Sequence, residues 1–397
     1  MRISTSSLYS DNIATLNTLQ TQIGQTQQQI STGRRLLNPA DDPAGAARAA
    51  ELTQTDAANT QLAANRNAAI NTLSLSEGIL QNVTELLQHV RTVAIDAGNG
   101  TLSSTSRQGM VADLQGRLQS LIGLANSTDG AGNYLYSGSQ GKVQAFADTA
   151  AGVVYQGDDV QRNVQAAPSR QIATSDSGAD IFMRSRNGNG MFQAAVGLAN
   201  TGTGVISQGT VPGTYNGHTY QIAFTSATQY DVTDVTTGLP VSAGNAYVSG
   251  QAISFNGIQF DIKGAPAAGD TFDIKPSTNQ SVFTTLGNLI ATISAGVATG
   301  MSSTAYRQGL SDNLAALDQN LNSVLAVRAT QGSRLNELDA LQATGEELGL
   351  QYKQTLSKLQ DTDYNKAVTD LTMQQMMLQA SQQSFAKVAQ MSLFNYL

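Results

Sequence analysis

The chain has 397 residues and a formal net charge of -7, and only 13% of its residues are charged. A chain of this length is usually too long to fold around a single hydrophobic core, so we expect two or three domains. The acidic balance, with no run of Lys or Arg, argues against a nucleic-acid partner. The chain contains no Cys, which excludes disulfides and thiol chemistry. No stretch has the length and apolarity needed for membrane insertion.

The first and last segments of the sequence predict helices with narrow apolar seams. Near the N-terminus a seven-residue frame, diluted by glutamines, carries Tyr9, Ile13, Leu16, Ile23 and Ile30. Near the C-terminus a similar frame carries Tyr364, Leu371, Leu378, Phe385 and Val388, with Gln374 and Ser381 between them. A buried amide without a partner costs about 1 to 3 kcal/mol, so each helix is marginal alone. We expect the two helices to pair as a coiled coil and to offer a contact surface that includes the apolar last residues, 394–397.

Helical rods are predicted in the part of the sequence between the two terminal segments. The stretch Asn38-Pro39-Ala40-Asp41-Asp42-Pro43 breaks the first helix, and Asp42 is expected to cap the next helix with Pro43 at its first position. Three apolar seams follow at helical spacing and are expected to pack into one bundle. They comprise Leu73, Leu80, Val83, Leu87 and Val90; Leu114, Leu118, Leu121 and Ala125; and Leu314, Leu317, Leu321, Val324, Leu335 and Leu338.

The middle of the chain predicts β-structure. The segments GNYLYSGSQ, GVVYQGDDVQRNVQ and RQIATSDSG, within residues 133–184, alternate apolar and polar residues and predict short strands attached to the rod. Further along, TYQIAF and QYDVTD predict strands, and QAISFNGIQFDI predicts a hairpin because Asn256-Gly257 separates two alternating runs.

The predicted fold class is therefore α+β, with terminal coiled-coil helices and a helical-bundle rod that carries an inserted small β domain. The predicted limits are 1–42 and 362–397 for the terminal assembly helices. The rod with short β-hairpins takes 43–200 and 277–361, and the inserted surface β domain takes 201–276.

No catalytic, cofactor-binding or metal site is predicted, and we expect no enzyme activity. The two histidines, His89 and His218, fall in different predicted domains, which argues against a histidine metal site or a catalytic triad. The carboxylate pairs Asp41-Asp42 and Asp158-Asp159 are explained by capping and turn roles. Met373, Met376 and Met377 are consistent either with a partner surface or with ordinary packing.

One signature identifies the family. QQQISTGRRLLNPADDPAGAARA resembles the N-terminal signature of the flagellin family, with Arg34, Asn38, Asp41, Asp42 and Pro43 as motif positions. The final segment, from LQDTDYNKAV to FNYL, looks like the closing helix of that family. The middle segment from GNYLYSGSQ to IATSDSGADIFM is most similar to the hook-associated members, which form the junction between flagellar hook and filament.

This resemblance implies an extracellular structural protein of the bacterial flagellum, exported by the flagellar type III pathway without a cleaved signal peptide. It implies assembly as a ring of copies of itself, between a hook-proximal hook-associated protein and flagellin. It also implies a cytosolic flagellar export chaperone that holds the C-terminal helix. The assembly interface is expected at Ile13, Leu16, Ile23, Ile30, Leu371, Leu378, Phe385 and Val388.

Two alternatives remain at this stage. The first is flagellin, the repeating filament subunit, which must bind copies of itself axially, whereas a junction protein has two unlike axial faces. The second is a secreted glycan-binding or glycan-cleaving protein whose β domain carries the activity. The sparse aromatic residues, the lack of Trp and the lack of a suitable carboxylate pair argue against the second alternative.

Overall fold

The computed structural model describes residues 5–297 and 302–390 and contains six α-helices in these ranges. They are α1 (Thr5–Thr32), α2 (Pro43–Ala97), α3 (Ser104–Ala125), α4 (Val282–Val297), α5 (Ser303–Gln360) and α6 (Tyr364–Gln390). The chain forms two compact units, one of Met1–Ala64 with Ala340–Leu397 and one of Asn65–Asp339. No helix of the described part has an apolar stretch long enough to cross a membrane.

Helix α2 begins as the sequence predicts. Its first residue is Pro43, whose missing N–H would have had no helical acceptor. Asp42 Oδ1 accepts a hydrogen bond of 2.8 Å from the Gly45 backbone N–H, which satisfies one of the donors that a helix start leaves open. The predicted cap at Asp42 is therefore confirmed.

The core of the second unit is a helical bundle. Leu73, Leu80, Val83, Leu87 and Val90 of α2 are buried, and the cluster continues through Leu114 and Leu121 of α3 and Leu317 and Val324 of α5. Across the bundle the Tyr306 hydroxyl donates to the Ala97 carbonyl at 2.8 Å. The predicted bundle is confirmed, because the apolar stripes of the two flanking parts of the sequence pack into one cluster.

Helix α4 is absent from the sequence-based prediction. It buries Val282, Phe283, Leu286, Leu289 and Ile293 in the bundle core. These buried positions recur at helical spacing along VFTTLGNLIATISAGV, so the segment carries an apolar stripe that the sequence analysis did not identify.

Between α3 and α4 the chain forms fourteen strands and a five-residue π-helix, Ala179–Met183, among the described residues. The strands are β1 (Phe146–Thr149), β2 (Gly152–Tyr155), β3 (Asn163–Ala167), β4 (Arg170–Ala173), β5 (Ser185–Arg186), β6 (Phe192–Val196), β7 (Val205–Ile206), β8 (Tyr220–Ser226), β9 (Gln229–Asp234), β10 (Leu239–Ala246), β11 (Ala252–Phe255), β12 (Ile258–Lys263), β13 (Thr271–Pro276) and β14 (Asn279–Gln280).

Two of the three segments predicted to form short strands near the rod are confirmed, since GVVYQGDDVQRNVQ contains β2 and part of β3, and RQIATSDSG contains β4. Strands β3 and β4 form an antiparallel hairpin, and β2 pairs with β1, which lies outside the predicted segments. The prediction for GNYLYSGSQ is wrong, since these residues form turns with one isolated bridge between Thr128 and Tyr134. Leu135 and Tyr136 are adjacent and both buried, whereas neighbouring residues of a strand point to opposite faces. The Tyr136 ring meets Phe182 edge-on at 5.6 Å.

The β domain consists of a five-stranded sheet in the order β10-β9-β8-β13-β6 and a three-stranded sheet in the order β11-β12-β7. Alternate side chains from both sheets share one apolar core that includes Tyr220, Ile222, Phe260 and Phe272. Strand β6, which the sequence-based limits assign to the rod, pairs with β13 along its whole length. The sheet therefore recruits residues that precede position 201.

The hairpin predicted at Asn256-Gly257 is confirmed. Strands β11 and β12 pair antiparallel with Phe255 opposite Ile258, and both turn residues have positive φ, 42° for Asn256 and 78° for Gly257. Two positive φ values are what a two-residue type I′ turn requires, and Asn-Gly adopts them at low cost.

We predict that Gly257→Ala destabilises the β domain more than Gly217→Ala. Both glycines have φ near 77°, but a Cβ at Gly257 would lie 2.3 Å from the Thr214 carbonyl oxygen, while Gly217 has open space. Gly217→Ala then costs about 1 to 2 kcal/mol of backbone strain, and Gly257→Ala adds a steric clash with the main chain. Amide hydrogen exchange in β8 and β13 measures the local free energy of unfolding. Equal losses for the two variants would contradict the prediction.

Candidate assembly interface

The first and last helices, α1 and α6, pair antiparallel. Tyr9 and Phe385 meet near one end, with ring centroids 4.7 Å apart. Thr26 and Gln374 meet further along, and at the other end the Thr362 hydroxyl donates to the Gln29 carbonyl at 3.3 Å. Since one residue number rises as its partner's falls, the two helices form a hairpin within one subunit.

The seam of this hairpin is only partly covered. Among the predicted interface residues Ile13 is 42% exposed, and six others have intermediate burial: Leu16, Ile23, Ile30, Leu371, Leu378 and Phe385. The side chain of Val388, like the final residues 394–397, lies outside the described residues. Partly exposed apolar side chains are a source of binding free energy, because each Å² of apolar surface that a partner covers contributes about 25 cal/mol.

Two small residues that the sequence reasoning missed are the most covered positions of the pair. Thr26 and Ala367 are each 7% exposed. The Thr26 hydroxyl donates to Gln374 Oε1 at 3.0 Å, so one polar seam position has a partner within the pair. The heptad frame passes through Gln374, and Ala367 lies one heptad before it on α6, so extending that frame could have found Ala367, while a search for hydroxyl residues able to bond to Gln374 could have found Thr26.

The segment after α1 is hydrogen-bonded to the segment that joins α5 to α6. The Thr362 N–H donates to the Gly33 carbonyl at 2.9 Å, the Arg35 N–H donates to the Gln360 carbonyl at 2.7 Å, and Arg34 forms an isolated antiparallel bridge with Asp361. Gly33 has φ 70°, and a Cβ there would lie 3.0 Å from the Tyr364 hydroxyl. Glycine is therefore needed both for the backbone conformation and for the close approach of α6.

The remaining motif residues build the turn into α2. Asp41 Oδ2 accepts a hydrogen bond of 2.9 Å from the Asn38 N–H, and the Arg35 guanidinium lies 3.6 Å from Asp42 while donating to the Leu359 carbonyl at 2.8 Å. These side chains fix backbone geometry and helix caps. Their roles explain the motif without any catalytic chemistry.

The rest of α6 exposes a second apolar surface. Val368, Met373, Met376 and Met377 are each at least 50% exposed. At 100° per residue, Met376 projects from the side opposite Ala367 and Leu378. Methionine is flexible and polarizable, so this methionine face suits a partner whose contacts differ in detail from those of the seam.

The histidines and the second carboxylate pair lie elsewhere. His89 Nε2 and Asp113 form an exposed pair at 3.0 Å, and His218 Nδ1 lies 2.7 Å from Asp234 in the β domain. Bonds from Ser139 hold the pKa of Asp158 below its ordinary value, and Arg184 does the same for the pKa of Asp159. In the described part of the chain no cluster of three or more His, Asp or Glu side chains could hold a metal ion.

Comparison with known proteins identifies the family. Residues 3–141 match the bacterial flagellin N-terminal helical region. The crystal structure of flagellar hook associated protein-3 from Legionella pneumophila is 32% identical, covers 78% of this chain and 98% of that chain, and has a TM-score of 0.73. The chain belongs to the flagellin family.

The similarity to particular members of the flagellin family extends over the whole chain. Flagellar hook-associated protein 3 of Salmonella typhimurium is 29% identical over 99% of both proteins. A second structure, of the flagellar junction protein FlgL from Legionella pneumophila, is 31% identical with a TM-score of 0.70 and covers 79% of this chain and all of that one. The family resemblance and the α+β fold class inferred from the sequence are both confirmed.

We predict that Leu378→Asp blocks assembly while leaving the second unit folded. Leu378 is half-buried in the seam, and completing that seam with neighbouring copies would enclose an unpaired carboxylate at a cost of several kcal/mol. In the free subunit the carboxylate stays hydrated. The free energy of unfolding of residues 65–339 should therefore change by no more than about 0.5 kcal/mol.

The matched control for Leu378→Asp is Gln379→Asp, at the next residue of the same helix, which is exposed and lies outside the methionine face. The measurements are circular dichroism melting of the purified protein, the amount of protein secreted, and the number of filaments retained on cells. Secretion must be normal for a lost junction to be assigned to the seam. Cooperative unfolding of the purified Leu378→Asp variant would place the seam in the core of the subunit and contradict the prediction.

Proposed function

We propose that this chain is a structural component of the bacterial flagellum, forming the junction layer between hook-associated proteins and the flagellin filament. The observation that carries the proposal is the similarity to hook-associated protein 3 over 99% of both chains. A protein matched over that length retains both terminal helices, and in this chain those helices present the partly covered seam.

The layer is proposed to be a ring of copies of this chain, with α1 and α6 of neighbouring subunits packed side by side. The exposed parts of Ile13, Leu16, Leu378 and Phe385 would then be covered by the neighbours. Such packing stabilises helices that are marginal alone. A layer that stops at one copy in height needs two unlike axial faces, one for a hook-proximal hook-associated protein and one for flagellin.

Export is proposed to require a cytosolic chaperone that holds α6. The support is the exposed methionine face at Met373, Met376 and Met377, which lies away from the seam. A chaperone that covers this face shields apolar surface until the subunit leaves the cell, and Met side chains adapt to a partner that must later release them. Passage through the flagellar type III pathway to the extracellular junction is part of the same proposal.

The β domain is proposed to be an outward-facing module of this assembly. It has its own apolar core, which allows it to fold as a unit, and the proposed assembly surface lies on α1 and α6. The proposed module comprises residues 201–276 together with strand β6, because β6 completes the five-stranded sheet.

We predict that this chain restores filament attachment in a strain that lacks its own junction protein and carries the matching hook and filament proteins. Flagellin that was shed into the medium should return to the cell surface. Seeding the purified chain on filament fragments is the complementary test, because a junction protein adds one layer whereas flagellin continues to polymerise. Extended growth on the seeds would assign the chain to the filament instead.

We predict that replacing residues 190–276 by a short Gly/Ser linker leaves secretion and filament attachment largely intact. This boundary removes β6 with its partner strand and so avoids exposing an unpaired sheet edge. The Asn187 N–H donates to the Thr278 carbonyl at 3.0 Å, and both residues are retained, so a short linker from residue 189 to residue 277 spans the gap. The variant is compared with a strain without the protein, and loss of attachment despite normal secretion would place the β domain in the junction itself.

A further inference from the structure

A narrow neck connects the β domain to the rod. Strands β5 and β14 pair at Arg186 with Asn279, and the Asn187 N–H donates to the Thr278 carbonyl at 3.0 Å. The Ser277 hydroxyl donates to the Asn187 carbonyl at 2.8 Å. Two paired chains resist stretching, but an isolated two-stranded ribbon is only marginally stable and gives little resistance to bending. A second attachment is needed to fix the orientation of the domain.

Gln308 of α5 supplies part of that attachment. Its Oε1 accepts from the Ile206 N–H at 2.9 Å, and its Nε2 donates to the Ile206 carbonyl at 3.1 Å. Strand β7, which contains Ile206, is an edge strand. The amide of Gln308 therefore occupies the place of a neighbouring strand, and both groups are buried, with Gln308 6% and Ile206 0% exposed.

Gln208 makes the same arrangement on the other sheet. Its Oε1 accepts from the Ala194 N–H at 2.9 Å, and its Nε2 donates to the Ala194 carbonyl at 3.1 Å. Ala194 lies in β6, the edge strand of the five-stranded sheet. One edge strand of each sheet, β6 and β7, is thus covered by a glutamine side chain.

Both glutamines converge on one carboxylate. Asp312 Oδ1 accepts from Gln308 Nε2 and from Gln208 Nε2, each at 2.7 Å. Asp312 also lines two cavities, one of about 470 Å³ that Gln308 lines as well and one of about 210 Å³ that Gln208 lines as well. The described residues that line them from β6, β14, α4 and α5 include Gln193, Gln280, Asn288 and Asn313, and Asp312 is the one titratable or charged group among them.

We propose that Gln208, Gln308 and Asp312 form a joint that holds the β domain against α5, and that ionisation of the Asp312 carboxyl loosens it. The joint links two sheet edges and a helix through one acceptor oxygen. Opening it places the carboxylate in water and leaves the ribbon neck as the flexible connection. The orientation of the β domain then depends on proton concentration.

The direction of the pH effect follows from burial. Burial raises the pKa of Asp312 to about 6 from an ordinary value of 3.8, although the bonds from Gln308 and Gln208 oppose the shift. A raised pKa in the closed joint means that protonation favours closure. The closed joint has its full stability below the ordinary pKa and loses it as the pH rises through about 6. The closed-to-open ratio can fall by up to roughly a hundredfold between pH values below 3.8 and above 6, and about tenfold of this fall lies between pH 5 and pH 8.

The test uses spin labels, because the chain contains no native Cys. Ala112→Cys on α3 and Ala243→Cys on β10, both exposed, place one label on the rod and one on the β domain of the full-length protein. Pulsed electron paramagnetic resonance measures the distribution of distances between them at pH 5 and pH 8. The variants are Gln308→Met, which keeps side-chain volume but removes the amide, Gln208→Ala and Asp312→Asn. The control is Gln351→Ala, an exposed glutamine elsewhere on α5.

The unaltered joint should give a narrow distribution at pH 5 and a broader one at pH 8. Asp312→Asn, which keeps an acceptor oxygen without a charge, should be narrow at both pH values, and Gln351→Ala should follow the unaltered protein. Gln308→Met and Gln208→Ala should be broad at both. Narrow distributions in both glutamine variants would overturn the joint, and a distribution of the unaltered protein that is the same at pH 5 and pH 8 would overturn its dependence on ionisation. Gln208→Ala decides the first point if Gln308→Met does not fold.

Discussion

The incomplete burial of the α1–α6 seam is the physical constraint on which the proposed assembly depends. A single subunit pairs these helices but leaves Ile13 exposed and the side chains of Leu378 and Phe385 only partly buried. The most covered positions, Thr26 and Ala367, are too small to supply much hydrophobic free energy. In the proposed ring, the hairpin would therefore gain most of its possible stability from neighbouring copies. This property suits a protein whose termini must be released for export and closed on assembly, as we propose here.

The turn between α1 and α2 makes that arrangement possible. Gly33, Arg34 and Arg35 meet the chain at residues 360–362 through backbone hydrogen bonds, so the helices α1 and α6 are held in register within one subunit, without any neighbour of the proposed ring. Fixing the register in advance lowers the conformational entropy that assembly must remove. The motif residues act through backbone geometry, which accounts for the many Gly, Asn, Asp and Pro residues in this segment.

Features that depend on neighbouring residues in the sequence were predictable, and those that depend on distant residues were not. The Asp42 cap, the Asn256-Gly257 turn and the buried Leu73 seam follow from local rules. Helix α4 also carries a local apolar stripe, and the sequence analysis missed it in a segment of only 16 residues that follows directly on the β domain. In the assembly surface, the heptads identify Leu371 and Leu378, but the pairing of Thr26 with Gln374 joins residues 348 positions apart. The interface residues themselves stay a prediction, since they concern neighbouring copies of the chain.

A ring of subunits would hold many β domains at high local concentration, and under those conditions a free sheet edge is a hazard. The edges of this domain are protected in different ways. Strand β10 contains Pro240 and two register shifts, and β11 is only four residues long. Strands β6 and β7 carry the amides of Gln208 and Gln308, which occupy the backbone groups that a neighbouring strand would need. The glutamines that orient the domain thus also keep it from pairing with its copies, so loss of either one exposes an edge as well as loosening the joint.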